Sequence, residues 1–515
     1  MSPSALRPLT HRPPVSGSRQ LLVVSALLVV LLALSPLLGL GWAALDGADL
    51  GVLSLGADGL EQLISTLTLL LGAAAAGAAL GTANGWLLAR CRFPGRRWLR
   101  IAQLVPLATP GYLLAATLVD LASRADWRVY GMGWGVLVLG LSTYPYVFLL
   151  STESFQQGGA RQLEACRSLG VGPWGSFRRV ALPMALPAIG AGVALIGMEV
   201  VNELGAVQLL GIPSVSAGIL QRWQAEGDPA GAVLLALLTL LVVALLVAVE
   251  RQLRRRSRRW NLGSDAVAGP AWSLSGGRAL AAQALAGLPP LISLGVPLIW
   301  IALSLDQLVL SDAAELLALS GRSLALGGLA TVLAAGGALL LALTARWQSH
   351  PVLLGLTQLA GLGYAVPGAV LALALLLVGA PIGLPALLLL VWGCADRFMA
   401  VSKGGLDAAF ERMPVQLDEA ATALGQGWSG VLRRVHLPLL RGPLMVGGLL
   451  VFVDTVKELP LTFALRPFGF DTLAVRVYQY ASDERLASAL LPCLMIILLG
   501  LAASIALIPG LEREA

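Results

Sequence analysis

Charge is what this 515-residue sequence has least of: 12% of its residues are Asp, Glu, Lys or Arg, against 57% that are hydrophobic. An ordinary soluble domain carries about 25% charged residues to cover its surface, so a purely water-bathed chain is excluded. Lysine is nearly absent. Lys403 and Lys457 are its two occurrences, and neither stands in the Gly-Lys-Ser/Thr context that cradles nucleotide phosphates, so this chain is not expected to bind ATP through such a loop. Histidine occurs at 11, 350 and 436, and the cysteines Cys91, Cys166, Cys394 and Cys493 lie far apart, with no zinc-like or disulfide-framework spacing. No cofactor and no tightly bound metal are expected. A polytopic membrane enzyme would show a cluster of nucleophile, acid, base or metal ligands, and none stands out.

What fills the chain instead is long apolar runs. Lipid cannot hydrogen-bond an open backbone, so a bilayer is crossed by helices of about 20 apolar residues. The hydropathy places spans near 21–43, 62–89, 99–119, 133–152, 185–211 and 229–249, then 285–305, 323–345, 352–379, 382–399, 441–465 and 486–508. That is an all-α polytopic membrane protein of about twelve helices, six in each half. The first run is longer than a signal-peptide core, so it is expected to be a retained helix.

Arginine crowds two short segments, Arg90 to Arg100 and Arg251 to Arg259, while the loop with Asp46, Asp49, Asp58 and Glu61 and the loop with Asp306, Asp312 and Glu315 have no basic residue. Arg-rich loops stay on the cytoplasmic side, which puts both termini there. The net charge of +6 is explained by these loops rather than by a nucleic-acid partner. The run at Arg251, with the Gly, Ser and Ala-rich stretch behind it, is expected to link two halves: 1–250 as a first transmembrane repeat, 251–280 as a cytoplasmic linker and 281–515 as a second repeat.

A block of sequence occurs twice, 255 residues apart. Glu164-Ala165-Cys166-Arg167-Ser168-Leu169-Gly170 is followed nine residues later by Val180-Ala181-Leu182-Pro183, and Glu419-Ala420-Ala421-Thr422-Ala423-Leu424-Gly425 by Val435-His436-Leu437-Pro438. Each copy predicts a helix stopped at a Leu-Gly, where glycine takes the left-handed conformation. A short amphipathic segment with Trp174, Phe177 and Val180, or Trp428, Val431 and Val435, comes next. Pro183 and Pro438 are expected to open the following span, since proline's missing N–H is harmless in a first helical turn.

This pattern resembles the EAA loop of permease subunits of binding-protein-dependent ABC importers, with Cys166 in place of the usual second Ala. The resemblance implies a type I importer permease fold of two parallel six-helix repeats, in which Glu164, Ala165, Gly170, Leu182 and Pro183 of one loop and Glu419, Ala420, Ala421, Gly425, Leu437 and Pro438 of the other couple to two copies of a separate ATPase subunit. It also implies a periplasmic binding protein as partner and the bacterial inner membrane as location. Lys457-Glu458-Leu459-Pro460, Leu465 to Ala474 and Ala481 to Ala487 are similar to fused ferric iron permeases, which implies ferric iron as cargo; thiamine or another cargo stays open, as does a secondary transporter on the same repeat architecture.

Glu199 and Glu203 lie four residues apart, on one helical face of a predicted span, and Asp454 and Glu458 repeat them at the same 255 offset. Ionisable groups at membrane depth face a cavity or a partner. Two readings stand for these acids and Lys457. They line a translocation path or gate for a hard cation that takes oxygen ligands, or Lys457 and Arg466 neutralise them in structural salt bridges.

Overall fold

The computed structural model describes residues 16–46, 55–157, 160–261, 272–307, 313–348 and 350–513. Among these the chain is helical almost throughout; two strands of two residues, Cys91–Arg92 and Trp272–Ser273, pair in parallel. Eight helices are long and apolar enough to cross a membrane: Gln20–Leu45, Gly56–Arg90, Met132–Gln156, Pro173–Asn202, Pro229–Arg254, Gly277–Leu303, Ala314–Trp347 and Trp428–Val456.

Two further expected spans are bent pairs. Arg96–Leu107 meets Gly111–Ser123 at 91°, and Pro351–Ala365 meets Gly368–Gly379 at 118°, which brings the count to ten if each pair is one span. Both breaks fall just before a proline. Thr109 (φ −105°, ψ 108°) and Val366 (φ −74°, ψ 122°) are extended, because the ring of Pro110 or Pro367 crowds the preceding residue out of the α region. The remaining two expected spans correspond to Ala386–Arg412, which carries Asp396, Arg397 and Lys403, and to Leu490–Arg513. By length and apolarity alone the described residues therefore do not reach twelve. The Arg251 to Arg259 run lies on the helix Pro229–Asn261.

The helices gather into two compact units. One holds the helix Ser16–Asp46 with Leu319–Val366 and Leu371–Phe470; the other holds the described parts of Gly47–Ala318 with Pro367–Val370 and the chain from Asp471. The first helix of the chain thus packs among helices of the second sequence half. Leu22, Ala26, Val30, Ala33 and Leu40 form its buried stripe, and Trp392 Nε1 donates to Leu32 O at 3.2 Å.

In the second unit, the contact of Gly56–Arg90 with Met132–Gln157 shows how such helices hold together. Lipid tails are as apolar as leucine, so close packing rather than hydrophobic expulsion drives association in the bilayer. Gly77, Gly81 and Gly85 recur every fourth residue along one face. A Cβ on Gly81 would come within 2.8 Å of Phe148 N and Tyr144 O, and one on Gly85 would meet Ser151. Ser151 Oγ donates to Gly81 O at 3.3 Å across the seam.

Gly81→Leu is expected to lower stability by about 1–3 kcal/mol, the usual cost of overpacking. Gly328→Ala, where a Cβ meets nothing within 4 Å, should be neutral or stabilising by up to about 1 kcal/mol. Thermal unfolding midpoints of the two variants in detergent check this, and equal midpoints would remove the glycine seam from the account.

Candidate functional site

The two duplicated blocks fold alike. Ala160–Ser168 and Gln416–Ala423 are short helices, ended by Gly170 at φ 75° and Gly425 at φ 77°. The backbone closes each end in the same way: Gly170 N donates to Arg167 O at 3.0 Å and Val171 N to Cys166 O at 2.9 Å, and Gly425 N to Thr422 O at 2.9 Å and Gln426 N to Ala421 O at 3.0 Å. This is the left-handed glycine stop, which satisfies carbonyls that a helix end leaves over. Just before each glycine stands a leucine with its side chain in solvent, Leu169 at 80% exposure and Leu424 at 79%. Glu164, Ala165, Glu419 and Ala420 are exposed, while Ala421 is buried.

The prolines correct the sequence expectation. Pro183 and Pro438 do not open a new helix; they lie inside continuous helices, Pro173–Asn202 and Trp428–Val456. A five-residue π turn precedes each, Phe177–Ala181 and Leu432–His436, in which Leu182 N reaches back to Phe177 O and Leu437 N to Leu432 O. The wider turn absorbs the hydrogen bond that proline cannot make, so the helix carries on.

An arginine outside the blocks anchors each of them. Arg90 donates to Phe155 O at 2.7 Å and Gln156 O at 3.2 Å; Arg346 donates to Phe410 O at 3.2 Å, Met413 O at 3.1 Å and Pro414 O at 3.3 Å. The planar guanidinium collects several carbonyls at the end of the helix leading to the block. Sequence reasoning used Arg90 only for topology and missed Arg346. Their spacing of 256, one off the repeat, was the available signal.

The acidic residues also differ from expectation. Glu199 and Glu203 do not share a helical face, nor do Asp454 and Glu458. The first helix ends at Asn202, with Glu203 extended (φ −65°, ψ 132°), and the second ends at Val456. The reason is local: Glu203 accepts from Ala206 N at 2.9 Å, at the start of the short helix Gly205–Leu209. Glu458 accepts from Leu461 N at 2.9 Å, Thr462 N at 2.8 Å and Thr462 Oγ1 at 2.9 Å, at the start of Pro460–Leu465. Each carboxylate thus meets free N–H groups of a new helix, which also favour negative charge there.

Lys457 lies 2.8 Å from Asp454, one of the acids it is expected to neutralise. The cation beside Glu458 is Arg397, at 3.6 Å, with both side chains at most 4% exposed. Arg397 lies with Asp396 inside a predicted span, and the rule that marked the glutamates applies equally to it. Among the described residues no three His, Cys, Asp or Glu side chains gather closely enough to hold a metal ion.

Residues 60–259 match the family described as binding-protein-dependent transport system inner membrane component. The chain is 26% identical over 451 residues to the Fe(3+)-transport system permease protein FbpB 2 of Haemophilus influenzae, covering 85% of this chain and 88% of that protein. It is 27% identical over 197 residues to the molybdenum transport system permease protein ModB of Escherichia coli, covering 34% of this chain and 83% of that protein. It is 32% identical over 204 residues to the probable sulfate transport system permease protein of Nephroselmis olivacea, covering 36% of this chain and 71% of that protein. Most of a shorter permease thus maps onto about a third of the chain, whereas the first relative runs along nearly all of it. With its two like-folded blocks, the chain belongs to the binding-protein-dependent transport system inner membrane components, as a fused two-repeat permease: a multi-pass transport subunit and not an enzyme.

Proposed function

We propose that this permease moves ferric iron, delivered by a periplasmic binding protein, into the cytoplasm, and that two copies of an ATPase subunit drive it by docking on the loops around Leu169-Gly170 and Leu424-Gly425. The observation that carries the docking reading is the pair of exposed leucines, each held at a left-handed glycine that lies three residues before a membrane helix begins, at Pro173 or Trp428. An exposed apolar side chain on a rigid corner is what a partner's pocket anchors on. ATP-driven closure of the ATPase pair then displaces both loops, and the attached helices exchange inward-open and outward-open states. Cytoplasmic docking sets the orientation, with both termini inside and the helix breaks at Glu203 and Glu458 toward the opposite side. Glu199, Glu203, Asp454, Lys457 and Glu458 then serve as a gate, by fixing where the fifth span of each repeat stops and a short helix begins.

The ferric cargo is supported by the similarity along nearly the whole chain to a protein named for Fe(3+) transport. Reconstituted vesicles with the cognate ATPase and binding protein are expected to take up ferric iron on ATP addition, with the proton gradient collapsed. Uptake of thiamine, molybdate or sulfate in its place would overturn the cargo, and uptake without the ATPase would overturn the docking.

Gly170→Val and Gly425→Val should each cut substrate-stimulated ATP hydrolysis while leaving the protein in the membrane. A Cβ there meets nothing within 4 Å, so the penalty, about 1–2 kcal/mol, comes from the left-handed backbone and falls on the corner itself. Normal stimulation in both variants would remove the loops from the mechanism.

Glu458→Gln should destabilise the protein by about 3–5 kcal/mol, because Arg397 loses its buried carboxylate. Arg397→Met added to Glu458→Gln should recover most of that membrane yield while uptake stays low. Full recovery of uptake in the double variant would show that the charges serve stability alone.

A further inference from the structure

A second duplicated feature lies between each left-handed glycine and the membrane. The charged residues from 160 to 183 are Arg161, Glu164, Arg167, Arg178 and Arg179; 255 places on, only Glu164 and the adjacent pair Arg178-Arg179 meet the same residue again, as Glu419 and Arg433-Arg434. Both pairs sit on the π turns, Phe177–Ala181 and Leu432–His436. The turns bury Phe177 and Ala181, or His436, on their inner side and leave all four arginines exposed. No hydrogen bond or ion pair joins any of the four to another described residue. Arg90 and Arg346, by contrast, are engaged by the carbonyls of neighbouring helix ends. Two adjacent like charges repel, so a repeated unpaired couple calls for a counter-charge from outside the chain.

The position of the pairs says which counter-charge fits. Leu186, 56% exposed, lies seven residues beyond Arg179, and Leu439, 53% exposed, lies five beyond Arg434. That is about 8 to 10 Å along the helix at 1.5 Å per residue. The polar layer of a bilayer is about 5 to 8 Å deep on each side of the hydrocarbon, and an arginine's flexible stem covers the difference. A helix with these leucines in hydrocarbon therefore holds its arginine pair among the headgroups. Arg441, exposed and seven residues past Arg434, adds a third cation in the second helix. Helical side chains lean toward the N-terminus, so Arg441 reaches back toward the same layer.

We propose that Arg178-Arg179 and Arg433-Arg434 each clasp the phosphate of an anionic phospholipid, which pins the foot of each helix at the membrane surface while the corner ahead of it stays free to dock. The inference goes beyond the transport reading and holds whatever the cargo; it takes from that reading only that both loops face the cytoplasmic leaflet. Guanidinium groups match phosphate oxygens with paired N–H donors. A zwitterionic headgroup sets its own ammonium beside its phosphate, whereas a net-negative one leaves the phosphate to the protein. An acidic patch on the ATPase offers the same charge, but the spacing to the lipid-facing leucines favours the headgroup.

The full chain, purified in uncharged detergent and offered phosphatidylglycerol and phosphatidylcholine in equal amounts, is expected to retain the former in excess, with native mass spectrometry counting the bound molecules. Arg178→Gln with Arg179→Gln should lower that preference severalfold, on the scale of about fivefold per arginine, and Arg433→Gln with Arg434→Gln should do the same. Equal retention of the two lipids by the parent chain overturns the proposal. So does an equal loss on Arg251→Gln with Arg254→Gln, which removes the same charge from another helix and would mean attraction to the surface at large. Glycerol phosphate that strips the lipid at millimolar concentration would assign the pairs to a free phosphate instead. ATPase binding, measured in bilayer discs of phosphatidylcholine alone, is expected to be unchanged in both paired variants; weakened binding there would assign the arginines to the ATPase and overturn the lipid clasp.

Discussion

A helix that restarts after a break in an apolar span opens with N–H groups that have no partner within the helix, and in this permease that constraint decides what two buried glutamates do. The fifth span of each repeat ends well before the hydropathy does, and each restart is met by a glutamate one side chain away from the new helix's open donors. The acids are therefore tied up in the backbone's accounting before any cargo arrives. A carboxylate used in this way is also sensitive to movement: if the short helix shifts, its acceptor is lost, and the cost of unsatisfied groups in lipid favours two definite arrangements over a continuum.

The same economy explains the other irregularities. Prolines break two spans where the preceding residue is forced to be extended, yet two further prolines are carried through a helix by a π turn. The difference lies in whether the neighbouring backbone can supply a longer hydrogen bond. Along the seam of Gly77, Gly81 and Gly85, by contrast, the backbone is fully satisfied and the absent side chains let two helices meet.

Much of this was legible in the sequence. The apolar runs gave the class and most of the spans, and the repeated Glu-Ala block with its Leu-Gly stop was read correctly as a helix ended by a left-handed glycine, because both signals are local. The π turns were not legible, since a proline at a first turn and one behind a wide turn look identical in sequence. The partner of Glu458 was missed because Lys457 is its neighbour in sequence, whereas Arg397 is its neighbour only once the helices pack. The Asp418–His436 contact bridges 18 residues across a corner, and nothing in the composition of either segment announces it. Even the first helix, obvious as a span, gave no sign that it packs among helices of the second half, since an apolar stripe does not name its partner.

The two repeats differ at corresponding places: Ser142, Leu163 and Ala181 of the first stand where the second has Arg397, Asp418 and His436, which make the contacts Arg397–Glu458 and Arg346–Asp418–His436. The π turns give both repeats a mechanical property in common. Because the helix from Trp428 to Val456 is unbroken, it behaves as a stiff lever about 43 Å long at 1.5 Å per residue. A tilt of about 5° at the exposed corner would then swing the far end by roughly 4 Å, about three quarters of a helical turn. Amplification of this kind needs no flexible joint, only a rod that does not buckle where its proline falls.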